Sequence, residues 1–255
     1  MYASILWSKG KNLKKKILIF GASSGIGKEI VSLFSENYEV ILAARRVEKL
    51  EEMKAEHPDS VLGVMNCDVT NLNDIEKVFE YILSNQIKLD GLVYSAGDYS
   101  LSMIKNTSME THKYIMDVNY MGFVAICKKF LERGIAQKGA SVVAVSSMAS
   151  WGAPKALSSY ATSKAALNTF VKVMAKETAK RGIRVNAILP GWVDTPMTTK
   201  SFQETGNDIK ESIKKTQPMG LIPTIQIANM VEYLVSDKAK YITGALIPIS
   251  GGDVG

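Results

Sequence analysis

The stretch ILIFGASSGIGKEIVSLFSE, residues 17–36, decides the fold. Ile17 to Phe20 form a continuous apolar run. Gly21, Gly25 and Gly27 interrupt it in a GxxxGxG spacing, and KEIVSLFSE then places its apolar residues at helical period. The order is strand, glycine turn, helix. A strand with no polar alternation is covered on both faces, which points to a parallel sheet.

Outward from this unit the same grammar repeats. VILAA at 40–44, VLGVMNC at 61–67, DGLVY at 90–94, VVAVSS at 142–147, IRVNAILPG at 183–191 and ALIPIS at 245–250 read as further strands. Between them, 45–58, 72–86, roughly 109–134, 160–181 and 225–236 carry helical spacing. The expectation is one α/β domain at 15–255, a doubly wound parallel sheet of about seven strands with helices on both faces. A basic N-terminal arm precedes it at 1–14. Residues 196–219 break the rhythm with a polar, Thr- and Lys-rich segment, read as a lid over the site because connections of this length are usually functional.

Composition narrows the function. With 255 residues, 46% of them apolar, the chain can bury a single sizeable core. Cys67 and Cys127 lack paired spacing, so neither a disulfide framework nor a thiolate metal site is expected, and a reducing, cytoplasmic setting fits. His57 and His112 lie too far apart for a typical zinc motif, so no metal is expected. Of the net +6 charge, Lys9, Lys11, Lys14, Lys15 and Lys16 supply five before residue 17. That reads as a solvated tail rather than a nucleic-acid surface. MYASILW is too short for a secretory signal, and no stretch reaches the length of a membrane span.

Glycines at a strand-to-helix turn let the backbone approach a pyrophosphate, whose charge is favoured by the free N–H groups of the helix N-terminus. About 20 residues on, an NAD-specific site would place an acid on the ribose hydroxyls. Here the second strand ends in Ala43, Ala44, Arg45 and Arg46. Two guanidinium groups suit a 2′-phosphate, so NADP (NADPH) is favoured over NAD. Arg46 reads equally well as the start of a charged surface helix. Asp68, after the third strand, is placed to accept from an adenine amino group, or to cap the helix that begins nearby.

The second constellation is Ser146 and Ser147 at a strand end, followed by Tyr160 and Lys164. Four apart on a helix, Tyr160 and Lys164 share a face. An ammonium beside a phenol favours the phenolate, which would make Tyr160 a usable acid or base near neutrality. A serine hydroxyl at the strand end can hydrogen-bond a carbonyl oxygen.

With these motifs in order, from GASSGIG through Asp68, YSAG, VNYMG, Ser147, YATSK at 160–164 and NAILPG at 186–191, the chain resembles the classical short-chain dehydrogenase/reductase family along nearly its whole length. It is similar in pattern to 3-oxoacyl-carrier-protein reductases. The resemblance implies a single-domain Rossmann fold and an enzyme that moves hydride between nicotinamide and a carbonyl or secondary alcohol. It selects Ser147 over Ser146 and implies Tyr160 as proton donor, Ser147 as substrate-orienting group, and Lys164 as ribose ligand and modulator of the tyrosine. Asn119 is implied to hold a water linking Lys164 to solvent. Ser23, Ser24, Ile26, Val69, Ala96, Gly97, Pro190, Gly191, Val193 and Thr195 complete the implied cofactor contacts.

The substrate pocket is expected to be lined by Ala149, Trp151, Trp192 and Met197, with Met148, Asp98 and Tyr99 also roofing it, a mainly apolar lining that suits a carbonyl compound with an apolar body. The similarity to 3-oxoacyl-carrier-protein reductases implies an acyl thioester as one such substrate, with Arg181 and Lys128 or Lys129 helping to dock an acidic carrier. The resemblance further implies a homotetramer or homodimer. Two alternatives stand beside a carbonyl reductase: an alcohol, sugar or steroid dehydrogenase working oxidatively, and a catalytically silent NADP-binding regulatory protein. Ser95, Phe20 and Ser250 depart from the family pattern, where asparagine, threonine and aspartate are usual.

Overall fold

A computed structural model of the chain describes residues 14–205, 211, 213 and 215–253. The basic arm, apart from Lys14, lies outside the described residues, as do positions 206–210, 212 and 214 of the expected lid. Seven strands, β1 (Lys16–Phe20), β2 (Glu39–Ala44), β3 (Val61–Asn66), β4 (Leu89–Tyr94), β5 (Ala136–Val145), β6 (Arg184–Pro190) and β7 (Leu246–Ile249), form one sheet in the order β3-β2-β1-β4-β5-β6-β7. Every pairing is parallel. The helices are α1 (Gly25–Asn37), α2 (Val47–Glu56), α3 (Leu72–Ser84), α4 (Met109–Met116), α5 (Gly122–Phe130), α6 (Ala149–Gly152), α7 (Ser158–Thr178), α8 (Pro196–Thr205) and α9 (Thr224–Val235).

The period of two along apolar strands sorts their side chains into two cores. Leu18 and Phe20 of β1 join α3, α5 and α7, where Phe79, Phe123, Phe130 and Leu167 are fully enclosed. Ile17 and Ile19 point the other way and meet Ile30 and Phe34 of α1, Leu50 of α2 and Val231 of α9. This is a doubly wound Rossmann-type α/β fold with helices on both faces. The strand order reverses between β1 and β4, which opens a crevice at their carboxyl ends.

Three local readings change. The helix expected over 109–134 is two helices joined by a π-helical turn, Asp117–Met121, and α5 stops at Phe130. The wider turn changes the helical phase at Asn119, which periodicity alone does not reveal. Strand β5 begins at Ala136 rather than 142, and its register against β4 shifts between Leu89 and Gly91. The cap of α3 is Asn71, which accepts from Asn73 N, while Asp68 closes its own turn by accepting from Thr70 N at 2.9 Å and Thr70 Oγ1 at 2.8 Å.

Phe20 heads a run of rings. It lies 6.5 Å from Tyr94, which lies 5.0 Å from Phe123, which packs edge-on against Phe170 at 5.6 Å. The buried Tyr94 hydroxyl donates to the Val118 carbonyl, tying β4 to the π-helical turn. Cys67 and Cys127 are buried free thiols, and burial pushes Cys67 up to about 12. Among the described residues no helix is long and apolar enough to cross a membrane.

At the opposite end of the sheet Arg184 is only 6% exposed. Its guanidinium donates to the carbonyls of Leu234, Val235 and Ser236 at 2.5, 3.3 and 3.0 Å, capping the C-terminus of α9. The Leu234 carbonyl also accepts from Ser141 Oγ and the Ser236 carbonyl from Ala239 N, so removing the guanidinium weakens the satisfaction of these two and takes its bond from Val235 O. Arg184→Met is therefore expected to lower the unfolding free energy by about 1–2 kcal/mol in urea titration, with Arg184→Lys intermediate.

Candidate functional site

The β1–α1 turn is held by its neighbours. Gly21 has φ +78°, and a Cβ there would stand 2.4 Å from Ala96 N at the end of β4, so only glycine fits. At Gly27 a Cβ would stand 2.1 Å from the Gly21 carbonyl oxygen. That packs α1 onto the turn and keeps Gly27 behind the cleft wall rather than in it. Ser24, the N-cap of α1, makes no capping bond with its side chain, which leaves the first-turn N–H groups directed at the crevice. Backbone without side chains, beside an uncapped helix N-terminus, fits a pyrophosphate.

Around this turn runs a cleft of about 670 Å³. It brings together Gly21, Ser23, Ser24, Gly25, Ile26, Arg45, Arg46, Asp68, Val69, Ala96, Gly97, Pro190, Gly191, Val193 and Thr195 with Ser147, Tyr160 and Lys164. These residues come from the carboxyl ends of β1 to β6, the first turn of α1, and α7. Arg46 donates to the hydroxyls of Ser23 and Ser24 at 3.1 and 2.7 Å, locking the second-strand arginine onto the glycine turn. Arg45 reaches the other way, to Tyr114 Oη at 3.3 Å.

At the chemical end, Ser147 lies just beyond β5 and lines the same cleft as Tyr160, close enough for its hydroxyl to influence the phenol. Lys164 is 3% exposed and donates to the Val145 carbonyl at 2.9 Å, with its Nζ 5.8 Å from the centre of the Tyr160 ring. Burial pushes the Tyr160 phenol up, and the Ser147 hydroxyl opposes that. From the sequence, the Lys164 ammonium is expected to favour the phenolate; in the structure burial is the largest influence and acts the other way, and the opposing influence comes from Ser147. Burial also pulls the Lys164 ammonium down to about 8.

Asn119, fully buried, stands one layer behind the cleft wall. Its Nδ2 donates to Asp98 O and Ser163 Oγ, both at 2.9 Å, and its Oδ1 accepts from Asp98 N at 2.9 Å. A Cβ on Gly97 would stand 3.3 Å from Asn119 Oδ1 and 3.4 Å from Lys164 Nζ, so loop, amide and ammonium converge at that glycine.

The apolar end is lined by Met148, Ala149, Leu157, Trp192 and Met197, with Tyr99. Trp151 and Asp98 depart from expectation, since neither lines the cleft. Ala149 and Gly152 share the inward face of α6, and Trp151, about 200° around from Ala149, is 49% exposed. Asp98 turns its carboxylate to Tyr99 N and the Tyr114 hydroxyl.

Two contributors give no signal in the sequence. Gln217, inside the expected lid, is fully buried; its amide accepts from Trp192 N at 2.8 Å and donates to Trp192 O at 2.9 Å, fixing the wall after β6. Tyr114 carries nothing that distinguishes it from any exposed helical tyrosine until the fold sets it between Arg45 and Asp98.

The chain belongs to the short-chain dehydrogenase/reductase superfamily of oxidoreductases. A family profile described as Enoyl-(Acyl carrier protein) reductase matches residues 21–253. The chain is 32% identical to Carbonyl reductase family member 4 of Xenopus laevis over 94% of its length and 98% of that protein. It is 30% identical to the 3-oxoacyl-[acyl-carrier-protein] reductase FabG of Thermotoga maritima over 93% of this chain and 97% of that one. A solved structure, ElxO with NADP bound, superposes with a TM-score of 0.85 at 25% identity, covering 95% of this chain and 99% of ElxO.

The buried lysine has a consequence for stability. An exposed lysine in the unfolded chain titrates near about 10.4, above the folded value of about 8. Between these limits the unfolded state binds more protons, so stability rises with pH through this group; its cost is fully present below about 8 and gone above about 10.4. The urea-derived stability of wild type relative to Lys164→Met is expected to rise by about 3 kcal/mol between pH 7 and 10.5.

Proposed function

We propose that the protein is an NADPH-dependent carbonyl reductase in which Tyr160 is the general acid. The observation that carries this reading is the gathering of Ser147, Tyr160 and buried Lys164 in the same cleft as the glycine turn and the two arginines. When bound, NADPH supplies the hydride. The glycine turn and the N-terminus of α1 hold its pyrophosphate, and Arg45 and Arg46, with no acid at the end of β2, select the 2′-phosphate. ElxO, with NADP bound, supports that choice.

Tyr160 holds the proton destined for the substrate oxygen, and Ser147 orients that oxygen by hydrogen bonding. Lys164, enclosed and with a pKa lowered to about 8, binds the nicotinamide ribose and helps the phenol exchange its proton at neutral pH. Asn119, clamped to the Asp98 backbone, supports a water that relays the proton to Lys164.

The apolar lining suits a ketone with an apolar body around one polar group. A 3-oxoacyl thioester is the substrate class suggested by the FabG relative. Two residues expected to meet a carrier are otherwise engaged: Lys129 pairs with Glu76 and Glu132, and Arg181 donates to the Leu131 carbonyl. Lys128 is exposed. A homotetramer or homodimer built on α4, α5 and α7 is part of the reading, and exposed Met109 and Val173 on α4 and α7 support it. A cytoplasmic setting is likewise proposed.

The test is nicotinamide absorbance with a panel of ketones that includes an acyl thioester. Tyr160→Phe is expected to lower kcat by at least about 100-fold while NADPH affinity stays within about threefold. Wild-type protein that binds NADPH but turns over no carbonyl would instead support a regulatory role.

A further inference from the structure

The hydroxyl of Tyr114 joins two parts of the cleft that have no chain connection. Arg45, from the end of β2, donates to Tyr114 Oη at 3.3 Å, and that hydroxyl donates to Asp98 Oδ2 at 3.2 Å. Asp98 is in turn held by its backbone N–H and carbonyl to the two ends of the Asn119 amide, each at 2.9 Å. One phenol thus connects the arginine at the adenosine end with the loop that abuts Lys164. Arg46 is spoken for differently, by Ser23 and Ser24, so the two arginines are set by independent partners.

We propose that Tyr114 is a positioning residue for cofactor selection, its hydroxyl aiming the Arg45 guanidinium at the 2′-phosphate of NADPH. The inference rests on the NADPH reading above. A guanidinium on a flexible stem loses rotamer entropy when it binds phosphate. A partner that already restrains it removes part of that cost, and only for a ligand carrying the phosphate. The bond from Tyr114 also favours the charged guanidinium, against the opposing effect of burial, and the Asp68 and Asp98 carboxylates act in the same direction as Tyr114. The phenol is exposed and belongs to neither core cluster, so these two hydrogen bonds are what its hydroxyl adds over a phenylalanine. Tyr114 is 39% exposed, so losing its hydroxyl leaves the packing of α4 intact.

The experiment compares NADPH and NADH binding to wild type and Tyr114→Phe by fluorescence titration of the reduced nicotinamide, with no substrate present. The expected result is a three- to tenfold weaker NADPH complex, ~1 kcal/mol, with NADH affinity within about twofold. In an Arg45→Ala background the same substitution is expected to cost nothing further, because the group it positions is gone. Equal weakening of both cofactors, unchanged NADPH affinity, or an undiminished effect in the Arg45→Ala background would each overturn the role of Tyr114. Wild-type protein with equal affinity for both cofactors would overturn the NADPH reading itself, and Tyr114's role with it; that result comes from the unaltered chain.

Discussion

The approach of the Gly21 backbone to the end of β4 is the constraint on which the site depends. At that point two parallel strands end side by side at the reversal of strand order, and there is no room for a side chain between them. Because the turn lies flat, α1 can seat Gly27 on it and leave its uncapped N-terminus facing the crevice. Because β4 runs alongside, its exit loop carries Ala96 and Gly97 into the same space as Lys164 and Asn119. Cofactor end and chemical end are therefore set by one backbone contact rather than by two separate loops.

Charge is distributed along the cleft in a way that follows burial. The arginines at the adenosine end are exposed and held by side-chain hydroxyls. The lysine at the other end is enclosed, and its lowered pKa reflects the cost of keeping an ammonium out of water. An exposed cation suits recognition of a permanent anion, whereas a cation near its own titration point suits proton movement. Neither arrangement needs a special residue type; location alone separates the two uses.

Two of the departures from the family pattern, Phe20 and Ser95, have physical replacements. Phe20 exchanges a strand-tying hydroxyl for ring packing against Tyr94, and Tyr94 supplies the polar tie itself by bonding the Val118 carbonyl. Ser95 keeps the backbone link from its N–H to the Phe20 carbonyl at 3.0 Å. The anchor of the π-helical turn, and with it the placement of Asn119, thus runs through an aromatic column rather than a side-chain amide on β4.

The sequence by itself determined the layered α/β architecture, the existence and order of the strands and most of the residues that meet in the cleft, since apolar runs, glycine spacing and the YxxxK interval are local patterns with local causes. It did not reveal the π-helical turn, the outward face of Trp151 or the withdrawal of Asp98 and Gly27 from the cleft wall, because each depends on helical phase or on what packs behind it. Gln217 and Tyr114 were equally silent. Only the tertiary structure decides which polar side chain is buried against Trp192 and which phenol stands between an arginine and a carboxylate, because those partners come from segments distant in the chain whose closeness is created by folding.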